Sequence, residues 1–198
     1  MTWQEIFEHT DNGSDRYSYQ AVSLDGNIFV GKIKNMSTTP GGFEVWEKKQ
    51  GQWQLTFTQT GENAGDHFGE GLTLSGNYLA VGAPNFGIDK GKVYLYEKKQ
   101  GQWQQTFAQI GENDNDKFGL SVALSGNYLA VGAPNFGTNK GKVYLYEKKQ
   151  GQWQQTFAQA GENAGDHFGW GLTLSGNYLA AGTLRATNGY FKIFSKTY

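Results

Sequence analysis

Residues 101–150 read GQWQQTFAQIGENDNDKFGLSVALSGNYLAVGAPNFGTNKGKVYLYEKKQ, and residues 51–100 repeat that line with 12 changes. Self-similarity at a fixed period of this length marks an array of supersecondary units, and it decides the fold before any single residue does. Trp53, Trp103 and Trp153 recur in GQWQ, 50 residues apart. Residues 151–182 continue the pattern, and the tail to Tyr198 follows it with a two-residue deletion. Residues 1–50 are a degenerate copy, in which Trp3 matches Trp53 and Glu47-Lys48-Lys49-Gln50 matches Glu97-Lys98-Lys99-Gln100. Four copies fill the 198 residues and leave no linker.

Each unit resolves into four short strands, expected in the third copy at 118–124, 127–133, 142–147 and 102–109. The last alternates, with Trp103, Gln105, Phe107 and Gln109 on one face. Val143-Tyr144-Leu145-Tyr146 and Tyr128-Leu129-Ala130-Val131 are apolar on both faces, so their sheet is covered on two sides. Ser125-Gly126-Asn127 and the stretch from Asn135 to Gly141 read as turns, and no window carries a helical period.

Four strands in about 50 residues are the arithmetic of a β-propeller blade. The expected fold is an all-β β-propeller, a single domain over 1–198, with blades at 17–58, 68–108, 118–158 and 168–198 plus 1–9. The chain opens with a fourth-strand sequence, Trp3-Gln4-Glu5-Ile6-Phe7, and stops after a third-strand one, Tyr190-Phe191-Lys192-Ile193-Phe194. An amino-terminal strand that completes the last blade would latch the ring and remove its unpaired edge. Two closures stand: four blades in one chain, the monomer being favoured, or two chains sharing one eight-bladed ring.

Composition agrees and excludes several function classes. The chain has 29 glycines and 15% aromatic residues, which suits short strands and tight turns. A net charge of −1 leaves no basic stripe for nucleic acid or for an anionic membrane surface. Cysteine is absent, which removes disulfides, zinc–thiolate sites and a Cys nucleophile. MTWQEIFEHTDNGSDR is not a signal peptide, and no run approaches the roughly 20 apolar residues of a membrane helix.

Asp116-Lys117-Phe118-Gly119 followed by Val131-Gly132-Ala133-Pro134 resembles the FG-GAP repeats of integrin α-chain propellers and their bacterial and lectin relatives. Phe68-Gly69 with Gly82-Ala83-Pro84 shows the same pairing, and Gly91-Lys92-Val93-Tyr94-Leu95-Tyr96 resembles that family's third strand. The first copy departs, with Tyr17-Ser18 and Gly31-Lys32-Ile33, and so does the last, with Gly182-Thr183-Leu184. Integrin-type propellers usually have seven blades, against four here. The resemblance implies ligand binding or cell adhesion, by a protein or a carbohydrate partner, in an extracellular or cell-surface setting. Asn12-Gly13-Ser14 and Asn35-Met36-Ser37 have the form of glycosylation sequons, a pattern that an Asn-rich chain also produces by chance.

Neither a metal nor another cofactor is expected. The Ser75-Gly76-Asn77 and Ser125-Gly126-Asn127 connections lack the carboxylates of a calcium loop. Glu112-Asn113-Asp114-Asn115-Asp116 reads as a polar turn held by Asx hydrogen bonds. His9, His67 and His167 have no catalytic partner in sequence, since Asp66 and Asp166 are read as strand neighbours on the opposite face. With no G-x-S-x-G elbow either, no enzyme is expected. Trp53, Trp103 and Trp153 read as packing residues, Phe-Gly and Gly-Ala-Pro as structural, and Lys98-Lys99 as a solvated hairpin.

Six of the 12 changes between copies two and three fall at 64, 65, 67, 70, 71 and 72, and a seventh at 73. Constant strands with variable loops place candidate ligand contacts at Asp66, His67, Glu70, Asp116, Lys117, Asp166, His167 and Trp170. Drift at solvent-exposed positions is the other reading of the same pattern.

Overall fold

The second and third copies fold as antiparallel meanders because two tight turns and one longer loop connect runs of alternating or wholly apolar residues. The computed structural model describes residues 22–33, 39–184 and 189–196. Sheet 1 contains β1 (Val22–Asp25), β2 (Ile28–Ile33), β3 (Gly42–Lys49) and β4 (Gln52–Thr60). Sheet 2 contains β5 (Leu72–Ser75), β6 (Tyr78–Ala83), β7 (Lys92–Lys99) and β8 (Gln102–Ile110). Sheet 3 contains β9 (Ser121–Ser125), β10 (Tyr128–Ala133), β11 (Lys142–Lys149) and β12 (Gln152–Ala160). Sheet 4 has three strands among the described residues: β13 (Gly171–Ser175), β14 (Tyr178–Gly182) and β15 (Phe191–Ser195). The segment Trp3–Phe7, His9, Tyr17-Ser18 and both sequons lie outside the described residues. No described helix is long and apolar enough to cross a membrane.

The protein is all-β and propeller-like, its sheets packed face to face in chain order. Each apolar cluster sits between two sheets. Val30, Phe43 and Val45 of sheet 1 meet Leu74, Leu79, Val81, Tyr94, Tyr96 and Trp103 of sheet 2. Ala80, Val93 and Leu95, on the opposite face of sheet 2, meet Leu129, Val131, Tyr144, Tyr146 and Trp153 of sheet 3. A smaller cluster joins Ala130 and Val143 to Leu179 and Ala181. Trp103 and Trp153 are buried packing residues. The inner strands of sheets 2 and 3 are thus apolar on both faces because each has a neighbouring sheet on both.

The first strand of each unit starts later than expected. Residues 118–120 are not in β9. Phe118 makes an isolated parallel bridge to Gly91 of the preceding sheet, as Phe68 does to Gly41 and Phe168 to Gly141. The cause is a left-handed backbone at the residue before each Phe: His67, Lys117 and His167 have φ of 57°, 55° and 51°. That kink turns the Phe ring into the gap between sheets, where all three are buried. The loops at Phe86–Asp89 and Phe136–Asn139 are irregular turns, with left-handed φ of 69° at Gly87 and of 54° and 55° at Gly137 and Thr138.

Charged rungs tie neighbouring sheets at the end that carries the Lys-Lys hairpins. Lys98 Nζ donates to Glu47 Oε2 at 2.7 Å, Lys148 to Glu97 at 3.1 Å and Lys196 to Glu147 at 2.8 Å. The Lys98-Lys99 hairpin is therefore not merely solvated, since its first lysine pairs with the sheet before it. Burial opposes the charge on Glu97, but hydrogen bonds from Lys148 and Lys99 outweigh it and hold the carboxyl below the usual range. A carboxyl with a depressed native value contributes stability above its unfolded value and loses it as pH falls through the native one. Stability should hold above about pH 5 and decline toward pH 3. Glu97→Gln should flatten that decline by about 0.3–1 kcal/mol, the screened value for a partly exposed pair, in urea melts recorded against pH. Melts with the same pH dependence in both proteins would refute the assignment.

Candidate functional site

The loops that enter each first strand occupy one end of the sheets and rest on a common frame. Asp116 Oδ2 accepts from the backbone N–H of Asn113 at 3.1 Å and from its side-chain amide at 3.1 Å. Asp166 accepts from the Asn163 N–H at 2.8 Å, and Asp66 from the Asn63 amide at 3.0 Å. All three carboxylates are buried. Burial pushes the Asp116 carboxyl up, against the Asn113 hydrogen bonds, while the Asn163 N–H leads in holding that of Asp166 down. Each aspartate closes a polar turn by accepting from the asparagine three residues before it.

The loop between the second and third strands of one sheet then clasps the entry loop of the next. The N–H of Asn115 donates to Ile88 O and that of Lys117 to Asp89 O, both at 2.8 Å. His167 N–H repeats the second bond on Asn139 O at 2.8 Å. The Lys117 ammonium lies 3.2 Å from Asp89 Oδ2 and donates to Asn85 Oδ1.

The eight residues singled out by variability divide by environment. Asp66, Asp116 and Asp166 face inward. Glu70 pairs with Lys32, whose side chain is buried and replaces the glycine that stands at Gly82 and Gly132 in the later copies. The variation from Glu70 to Leu120 to Trp170 thus has a structural component, because only the first junction holds a buried ammonium. His67 Nδ1 stands 3.9 Å from Glu70 Oε2. His167 and Trp170 meet edge-on with ring centres 6.2 Å apart, and Trp170 is exposed. His167 Nδ1 is sheltered and has no hydrogen-bond partner among the described residues. Sheets 2, 3 and 4 therefore each carry a small station, Asp66 and His67 lying in a loop and not on a strand. No group of three or more His, Asp or Glu arranged for a metal occurs among the described residues.

Sequence reading missed a cavity of about 580 Å³ between sheets 3 and 4, lined by Tyr128, Leu145, Phe157, Leu179, Ile193 and Lys196. At the equivalent place between sheets 2 and 3, Trp153 of β12 packs edge-on against Tyr78, ring centres 5.6 Å apart. The cavity lies where a fourth strand of sheet 4 would set its tryptophan.

Repeated four-stranded sheets locked by a buried Phe-Gly on one side and a Gly-Ala-Pro strand end on the other define a propeller-type repeat protein. The FG-GAP repeat family matches residues 54–96 and 105–146. The chain thus contains two FG-GAP repeats, in its second and third copies. No curated protein matches it.

Proposed function

We propose that this chain is a non-enzymatic recognition module that binds a protein or glycan partner through the entry loops at one end of its sheets. One observation supports it above the others. The loop frame recurs at Lys117 and His167 and in part at His67, whereas the side chains it displays change from His67 to Lys117 to His167 and end in the exposed Trp170. A constant scaffold with variable exposed groups is the usual arrangement of a binding surface. FG-GAP repeats often serve in adhesion and recognition, which favours the same reading. The exposed indole of Trp170, edge-on to His167, offers a stacking face of the kind that sugar or peptide recognition uses.

In this proposal the sheets are blades, and residues 3–9 supply the fourth strand of the last. The cavity beside Tyr128 supports it, since Trp3 aligns with the tryptophans that fill the equivalent gaps.

The test is a glycan array probed with the tagged chain, with calcium and with chelator, beside a pull-down of surface proteins. Trp170→Ala and His167→Ala should each weaken retention of any hit at least about tenfold, the scale of a binding hot spot, with the melting temperature unchanged. Full retention by both variants would refute the loop surface. A blank array and pull-down with the unaltered chain would refute recognition itself.

A further inference from the structure

We propose that the front face of sheet 4 is a docking surface for the back face of sheet 1 of a second copy of this chain, so that two chains close one ring. Within the chain the same two faces mate three times. The front residues Val93 and Leu95 are 0% exposed under sheet 3, and Val143 is 0% exposed under sheet 4. Their counterparts in sheet 4 are Phe191 and Ile193, which are 73% and 63% exposed. Tyr178, the counterpart of the Tyr78 that packs against Trp153, is 61% exposed. On the back face, Leu74 and Leu124 are each 7% exposed, whereas Leu24 of sheet 1 is 65% exposed. A contiguous exposed apolar face of this kind marks an interaction site. Its partner is specified by repetition, because the face that fits it three times over is the face left uncovered at the other end of the same chain.

The polar contacts at that junction are available too. Ser75 Oγ accepts from the N–H of Gly126 and Ser125 Oγ from that of Gly176. Ser175 and the exposed Gly26 stand ready to repeat the bond across the new junction. Lys148 lies 4.8 Å from the Tyr78 ring centre and Lys196 5.5 Å from that of Tyr128, so Lys48 has Tyr178 to cover. One rung is missing, since Ser195 occupies the place of Glu47, Glu97 and Glu147. The back of sheet 1 also carries Glu44 where Tyr94 and Tyr144 stand, accepting from Trp46 Nε1 at 3.1 Å.

A second copy is favoured over closure within one chain by the angle between sheets. Phe57 of β4 meets Tyr96 of β7, Phe107 of β8 meets Tyr146 of β11, and Phe157 of β12 meets Phe194 of β15, with ring centres 5.9, 5.5 and 5.0 Å apart. Adjacent sheets therefore approach closely at their first strands and stay bridged, through aromatic side chains, between the fourth strand of one and the third of the next. Strands are spaced about 4.8 Å, so the fourth lies about 14 Å beyond the first. Four blades need a right angle per step, which would splay the fourth strands about 20 Å further apart than the first. Eight blades need half that angle, and a front-to-back contact repeated by two-fold rotation closes.

The inference rests on the blade reading but not on the ligand-binding one. Light scattering of the intact chain, fractionated by size at about 50 µM, a concentration that populates micromolar dimers, should give twice 21.9 kDa. Phe191→Asp and Leu24→Asp should each give single chains with an unchanged circular dichroism spectrum. Their mixture should recover a two-chain species, because the intact front of the Leu24 variant still fits the intact back of the Phe191 variant. Ser195→Glu, which restores a carboxylate opposite Lys48, should tighten the pair about two- to threefold at low salt. A single-chain mass for the unaltered protein, or masses that climb beyond two chains, would overturn the two-chain ring. Deleting residues 1–9 tests the strand proposal separately: a melting temperature unchanged without them refutes only that proposal.

Discussion

Gly82→Ala should remove about 3 kcal/mol or more of stability, the upper range for overpacking a site whose neighbours cannot yield. A methyl group at residue 82 would overlap the carbonyl oxygen of Gly119 and stand 2.8 Å from its carbonyl carbon. Both atoms are backbone of the next sheet, so no side chain can swing aside. The site is crowded because Gly119 closes on its own sheet through a 2.9 Å bond from its N–H to Gly132 O, with Gly82 directly behind it. Gly132 has the same relation to Gly169. The doublet of Phe-Gly and Gly-Ala-Pro is thus one contact seen from its two sides, the Gly of one sheet making room for the Phe-Gly of the next. Gly76→Ala is the control. It has φ of 55° and nothing near its missing methyl, so it should cost only about 1 kcal/mol of backbone strain. Urea unfolding of the three proteins decides the matter, and equal losses at 76 and 82 would refute the close-approach account.

That contact shows what the sequence makes legible. The 50-residue period, the strands and the structural role of Phe118, Gly82 and Trp103 can all be read from spacing and residue type, because each depends on local pattern. What depends on the relation between sheets cannot. Lys148 and Glu97 are 51 residues apart and look solvated until their sheets are stacked, although the recurrence of Glu and Lys at that offset is a signal in the repeat. Glu70 looks like a variable loop residue until Lys32 is seen beneath it. The left-handed turn at Lys117, which delays β9 by three residues, leaves no apolar pattern of its own. For the candidate site, variability identified the loops, but it could not separate the buried frame of Asp66, Asp116 and Asp166 from the exposed Trp170. Burial distinguishes those roles, and it is a property of the assembled sheets.

Phe118→Ala should destabilise the whole array by about 3–5 kcal/mol, the cost of emptying a core aromatic site, whereas Phe168→Ala should loosen chiefly its last sheet. Both rings are buried between sheets. Phe118 sits edge-on to Tyr144, ring centres 5.2 Å apart, in the large cluster between sheets 2 and 3. Phe168 stacks on Tyr190 at 5.8 Å in the smaller cluster between sheets 3 and 4. A repeat array behaves as a row of units coupled to nearest neighbours, so a defect in the middle severs two halves while a defect at the end frees one unit. Sheet 4 is also the least covered, with Phe191, Ile193 and Tyr178 in solvent unless a partner shields them. Native-state hydrogen exchange at low protein concentration resolves the two cases. In the Phe168 variant the amides of β13 to β15 should exchange at least about a hundredfold faster, as a few kcal/mol of lost local stability requires, while those of β6 and β10 keep their protection. In the Phe118 variant protection should fall in sheets 2 and 3 together. Uniform loss across all four sheets in both variants would mean one cooperative unit, with junctions too strongly coupled to fail one at a time.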